Sequence, residues 1–73
     1  MVNIVRLNSE LKKRGMNWAS LATEIGVSRR TMCSRLQQDG ETFKISEMID
    51  ICNVLQLTPK QSIEIFLKRK SGV

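Results

Sequence analysis

The chain has 73 residues and a net charge of +5, from 12 lysines and arginines against seven acids, and this length supports one domain with a thin core. With no histidine and only two cysteines, Cys33 and Cys52, it lacks the ligands of a zinc site and the framework of a disulfide-stapled fold. It shows no signal peptide and no run of about 20 apolar residues, so we expect a cytoplasmic protein rather than a secreted or membrane-spanning one.

Two helices are predicted in the first third of the chain, because apolar residues recur there at three- and four-residue spacing. The first extends from about Asn3 to Arg14 and stops at Gly15. The second begins at Asn17, a favourable N-cap residue, and ends at Gly26. The apolar stripes expected to face the core are Ile4, Leu7 and Leu11 in the first helix and Trp18, Leu21, Ala22 and Ile25 in the second.

A third, short helix is predicted after a single intervening residue, Val27. Ser28 is its expected N-cap, and the helix covers about Arg29 to Leu36. The segment from Gln37 to Thr42 contains an Asp-Gly pair and is predicted to be a loop.

Two further helices complete the prediction, which is an all-α fold of five helices. The fourth spans about Lys44 to Leu55. The fifth has the clearest start signal, because Thr58 is a capping residue, Pro59 suits the first helical position and a glutamine three residues after the cap completes a capping box. We assign the domain to residues 1–67 and a flexible basic tail to residues 68–73. The expected apolar faces are Ile45, Met48, Ile49, Cys52 and Leu55 in the fourth helix and Ile63, Phe66 and Leu67 in the fifth.

The stretch from Trp18 to Met32 has the pattern of a helix-turn-helix. The small Ala22 lets the two helices approach closely, and Gly26 permits the positive φ of a sharp turn. From Gly26 to Gln38 there are three arginines and no acid. Phosphates repel carboxylates, whereas arginine, serine and threonine bond to base edges and phosphate oxygens. The pattern therefore favours a third helix that enters the major groove of DNA.

With these motifs the chain resembles the phage-repressor and Cro-type (XRE) helix-turn-helix regulators, most of all short regulators of Gram-positive phages and integrated elements. The resemblance implies a compact, lambda-repressor-like fold of five helices with the helix-turn-helix in the second and third. It also implies a double-stranded operator DNA as partner, and repression or a lysis–lysogeny switch as the role. It covers nearly the whole chain and rests on Leu21-Ala22, Ile25-Gly26-Val27-Ser28, Thr31, the loop with Gly40, and the segment Phe43–Leu57.

The resemblance and the third helix together identify candidate DNA-binding residues. Arg29 and Arg30 open this helix, where side chains reach deepest into the groove, and arginine can bond to guanine O6 and N7 together. Ser28 and the start of the helix could hold a phosphate, and Lys44 lies where this family commonly contacts the DNA backbone. Arg35 departs from the family, many members of which have an apolar residue there. The full candidate set is Asn17, Ser28, Arg29, Arg30, Thr31, Cys33, Ser34, Arg35 and Lys44.

A homodimer is expected, because one recognition helix covers too few base pairs for useful selectivity in a genome. Two protomers related by a two-fold axis would contact half-sites of a palindromic operator about 34 Å apart. Four large apolar residues within five positions of the fifth helix span more than one helix face, so this helix should supply the interface. The candidates are Ile63, Ile65 and Phe66, with Ile65 expected to be exposed on a monomer.

An alternative function is a protein-interaction module, such as an antirepressor or adaptor whose helix-turn-helix no longer binds DNA. The arginines of the third helix argue against it. An antitoxin or an excisionase-like architectural protein stays open within the DNA-binding class. An enzyme is nearly excluded, because there is no histidine or tyrosine and no nucleophile at a recognisable spacing from a base. No cofactor, metal, membrane or small-molecule ligand is predicted.

Overall fold

Five helices follow one another in residues 2–67, the part of the chain that a computed structural model describes. These residues contain no strand, which confirms the predicted all-α fold, and none of their helices is long and apolar enough to cross a membrane. The tail predicted for residues 68–73 lies outside the described residues. The helices are α1 (Ile4–Lys13), α2 (Trp18–Ile25), α3 (Arg29–Gln37), α4 (Ile45–Leu55) and α5 (Pro59–Ser62), and α5 continues as a π-helical segment, Ile63–Leu67.

The helix starts lie where the capping residues of the sequence predict them. Asn3, Asn17 and Ser28 each accept a hydrogen bond from the backbone N–H three residues further on, at 2.9, 2.8 and 3.0 Å. Such bonds satisfy N–H groups that have no partner inside the helix. Thr58 and Gln61 form the predicted capping box of α5, with bonds of 2.9 and 3.1 Å.

The core is one small apolar cluster between the helices. Leu7 and Leu11 of α1, Leu21 of α2 and Ile51 of α4 are all fully buried. Burying a leucine or isoleucine side chain contributes about 1.5–3 kcal/mol, so these four side chains are a large share of the stability of so short a chain. The other buried apolar residues are Val2, Ala22, Met32, Phe43, Leu55, Ile65 and Phe66.

The apolar face predicted for α4 is wrong at two of its five residues. Ile45 and Ile49 are 75% and 55% exposed, whereas Glu47, Ile51 and Leu55, spaced four residues apart, are buried. Met48, Cys52 and Leu55 of the predicted face lie in or against the core, and the buried carboxylate of Glu47 has a hydrogen-bond partner inside the protein, Arg35. An apolar stripe in the sequence gives no sign of such a partner. Cys52, predicted to lie in the core, is half-buried at its edge.

The prediction that Ile65 is exposed is also wrong. Ile65 is fully buried and Phe66 is 6% exposed, while Ile63 and Leu67 are 54% and 69% exposed. The reason is the π-helical segment, whose wider turn changes which residues face the core relative to an α-helix. The segment is held from the other end of the chain, since the backbone N–H of Asn3 donates to the carbonyl of Ile65 at 2.6 Å.

Candidate nucleic-acid interface

The turn between α2 and α3 is a tight one that places α3 across α2. Gly26 ends α2 in the left-handed region, with φ of +77°, a conformation that glycine adopts without a steric penalty. The N–H of Val27 then returns to the carbonyl of Ala22 at 2.9 Å. Ala22 is fully buried and Met32 is 2% exposed, so the inner sides of the two helices pack directly on each other. The outer side of α3 is left exposed.

This outer side forms a continuous polar surface, which we call the recognition face: Arg29, Arg30, Cys33, Ser34 and Gln37, all exposed. Arg30, Ser34 and Gln37 follow one another at four- and three-residue spacing, so they line one strip of the helix. The recognition face carries two positive charges and no acid. Its electrostatics therefore suit a polyanion, and its guanidinium, hydroxyl and amide groups suit base edges.

Three predicted site residues lie at the starts of helices. Asn17, Ser28 and Lys44 are the exposed N-cap residues of α2, α3 and α4. The partial positive charge of a helix lies at its N-terminus, so each position favours a negative group such as a phosphate. The predicted site residues Asn17, Ser28 and Lys44 are thus placed differently from the arginines, at helix starts rather than on the outer side of α3.

Two predicted residues do not join the recognition face. Thr31 is half-buried, and its Oγ1 accepts a hydrogen bond from Ser28 Oγ at 2.9 Å, so it supports the cap of α3. Arg35, predicted to contact DNA, also lies off the recognition face. Its guanidinium turns towards α4 and donates two hydrogen bonds to Glu47, from Nε at 3.0 Å and from Nη2 at 3.2 Å.

Glu47 is a structural contributor to this region that the prediction missed. Its Oε1 also accepts the backbone N–H of Lys44 at 2.9 Å. The lysine side chain has no acceptor atom and cannot cap α4, so Glu47 alone provides the side-chain cap at this helix start. The Arg35 guanidinium holds the pKa of Glu47 below its ordinary value, against the opposing effect of burial. A glutamate three residues after a helix start is the sequence signal that could have revealed it.

Gln37 is the second residue that the prediction missed. The sequence places it in the loop, yet α3 continues through it and leaves its side chain exposed. Gln37 adds to the recognition face an amide, a group whose chemistry suits adenine N6 and N7. Its position seven residues after Arg30, two helical turns along, is the signal that could have found it.

A comparison with protein-family models finds one that covers most of the chain. The model described as the Cro/C1-type HTH DNA-binding domain matches residues 6–66. The match includes the complete α2–α3 unit and α4. Comparisons with curated proteins and with solved structures find no significant match.

Proposed function

Because the chain belongs to the Cro/C1-type helix-turn-helix DNA-binding family, we propose that it is a sequence-specific transcriptional regulator that binds a palindromic operator as a homodimer. The regulator is of the repressor or Cro type, from a phage or mobile element, and acts in the cytoplasm. The observation that carries the proposal is the recognition face, which is polar, basic and free of acids on the outer side of α3. This helix lies in the major groove with its N-terminal turn towards the bases.

The exposed side chains divide into groups that read bases and groups that contact phosphates. Arg29 and Arg30 bond to guanine edges, and Cys33 and Ser34 contact the bases beside them. A good bidentate contact discriminates against the wrong base by about 1–3 kcal/mol. Asn17, Ser28 and Lys44 bind phosphates and fix the register of the protein on the duplex. These phosphate contacts do not themselves distinguish one base sequence from another.

Selection from a random pool of duplex DNA tests this proposal, because the pool needs no known operator. The protein should enrich a palindromic duplex with guanine in each half-site. The matched control is a variant with Arg29→Ala and Arg30→Ala, both exposed residues whose replacement leaves the core intact. This variant should fold and enrich no guanine-containing consensus. If the unchanged protein enriches no sequence, the proposal fails.

The homodimer interface is proposed at the π-helical segment, through Ile63 and Leu67. These two residues lie one turn apart and are 54% and 69% exposed, while Ile65 and Phe66 are occupied in the core. Exposed apolar side chains in a group favour association. Leu67→Asp should convert a dimer in light scattering to a monomer. Ile49→Asp is the control, because Ile49 is also an exposed apolar residue, at 55%, but lies on α4. A dimer that survives Leu67→Asp and is lost with Ile49→Asp would move the interface to α4.

A second candidate function, a protein-interaction adaptor or antirepressor, is favoured by one observation. Ile45 and Ile49 lie one turn apart on α4, and both are exposed. An amphipathic partner helix could pack on such a pair. The selection experiment separates the two functions, since an adaptor that has lost DNA binding would enrich no duplex.

A further inference from the structure

The ion pair between Arg35 and Glu47 joins the last turn of α3 to the first turn of α4. Both side chains are largely buried, at 19% and 11% exposure. Among the ion pairs of residues 2–67, those of Glu10 are with residues of its own helix and C-cap, and that of Arg6 and Glu64 joins α1 to the π-helical segment. The Arg35–Glu47 pair is therefore the ionic link between the recognition helix and another element in the described part of the chain.

One oxygen atom connects both ends of this link. Glu47 Oε1 accepts Arg35 Nε at 3.0 Å and the Lys44 backbone N–H at 2.9 Å. The loop between α3 and α4 is tied at the same place, since the N–H of Gly40 donates to the carbonyl of Arg35 at 2.9 Å. The backbone of Lys44 is thus held at a fixed distance from the end of α3.

Charge gives the pair a second consequence. Without Arg35, the carboxylate of Glu47 would place an uncompensated negative charge at the start of α4. Lys44 is exposed there as a candidate phosphate contact, and a phosphate is repelled by a nearby carboxylate. The guanidinium of Arg35 neutralises this charge while Glu47 continues to cap α4.

We infer that Arg35 is a positioning residue for DNA binding. Through Glu47 it holds Lys44 so that Lys44 reaches a phosphate while the recognition face contacts bases. This inference rests on the proposed function. It predicts an energetic coupling between Lys44 and a residue pair that does not contact the DNA.

A double-mutant cycle on a selected operator duplex tests the coupling. In the otherwise unchanged protein, Lys44→Met should weaken operator binding several-fold and reduce the salt slope of log Kd by about one, as the loss of one phosphate contact requires. The link is broken by Arg35→Met combined with Glu47→Gln. This pair of changes leaves no buried charge and keeps an oxygen to accept the Lys44 N–H. In that background Lys44→Met should change the affinity less than twofold.

The control is the other ion pair between separate elements. Arg6→Met combined with Glu64→Gln removes the pair of α1 with the π-helical segment, whose side chains lie 3.0 Å apart. In this background Lys44→Met should cost as much affinity and salt slope as in the unchanged protein. A merely structural role of Arg35 would lower the denaturation midpoint and leave the effect of Lys44→Met unaltered.

The inference is overturned if Lys44→Met costs the same with and without the Arg35–Glu47 link, or if it costs nothing in the unchanged protein. If the doubly substituted protein does not fold, Arg35→Lys replaces it. A lysine keeps the charge but not the two-point contact, so Lys44→Met should cost less operator affinity in the Arg35→Lys background than in the unchanged protein. An equal loss of affinity in the two backgrounds overturns the inference. Failure of the unchanged protein to select any duplex overturns the proposed function and this inference together. Selective binding without coupling overturns the inference alone.

Discussion

Replacement of Gly40 by alanine should destabilise the protein more than the same change at Gly26, although both glycines have similar positive φ angles, +75° and +77°. A residue with a Cβ in this conformation costs about 1–2 kcal/mol. At Gly26 the added Cβ meets nothing within 4 Å, so this cost is the whole effect. At Gly40 it would lie 2.7 Å from the Cβ of Val2, closer than two such atoms can approach.

The clash at Gly40 cannot be relieved by rotating a side chain, because the Cβ of Val2 is fixed to the backbone. The following residue, Asn3, is itself hydrogen-bonded to Ile65, so the N-terminal segment would have to move as a unit. Overpacking of this kind costs about 1–3 kcal/mol beyond the conformational cost.

Urea denaturation and thermal melting measure the difference between the two variants. In a domain of this size each kcal/mol corresponds to about 4–8 °C in Tm, so Gly40→Ala should melt well below Gly26→Ala. Equal stability of the two variants would refute the close packing of Val2 on the loop.

Three further predictions concern the charged residues. Arg29→Ala or Arg30→Ala should cost about 1–3 kcal/mol on the selected operator and relax preference at one base pair, while Lys12→Ala should do neither; a loss that is equal on all DNA would make the arginine a phosphate contact. Operator affinity should fall about tenfold or more between about 50 and 200 mM salt, because bound phosphates release counterions, and a flat titration would contradict the ionic contacts. The pKa of Glu10 is lowered in the folded protein mainly by its hydrogen bond with Arg14 and also by Lys13, and the pKa of Glu47 is lowered by its hydrogen bond with Arg35. The contribution of each carboxylate to stability is therefore complete above the ordinary pKa of 4.5 and is lost as the pH falls through the lowered pKa. The urea midpoint should be level at neutral pH and fall in acid, and Glu10→Gln should flatten that fall; an unchanged acid response in Glu10→Gln would contradict the role of Glu10.

The sequence predicts the helices well because their signals are local. Asn17, Ser28 and Thr58 cap helices through atoms three residues away, and Gly26 ends α2 through its own backbone angle. Most residues of the recognition face can be predicted for the same reason. Periodicity alone places Arg30 and Ser34 on one side of α3 and Met32 on the other, whatever the rest of the fold does.

The orientation of the later elements could not be predicted in this way, because it depends on contacts distant in sequence. Arg35 and Glu47 are twelve residues apart, and their pairing turns Arg35 away from the recognition face and accompanies the burial of Glu47 on α4. The π-helical turn that buries Ile65 is joined to Asn3, more than sixty residues earlier. A window of a few residues never contains both partners of such a contact.

The affinity ratio between the selected operator duplex and a scrambled duplex of the same composition tests the central claim most directly. Measured at about 150 mM salt, this ratio should be about 10³ or greater, with two protomers bound to each operator at saturation. Equal affinities for the two duplexes would show that α3 reads no sequence and would contradict the account of this protein as a regulator.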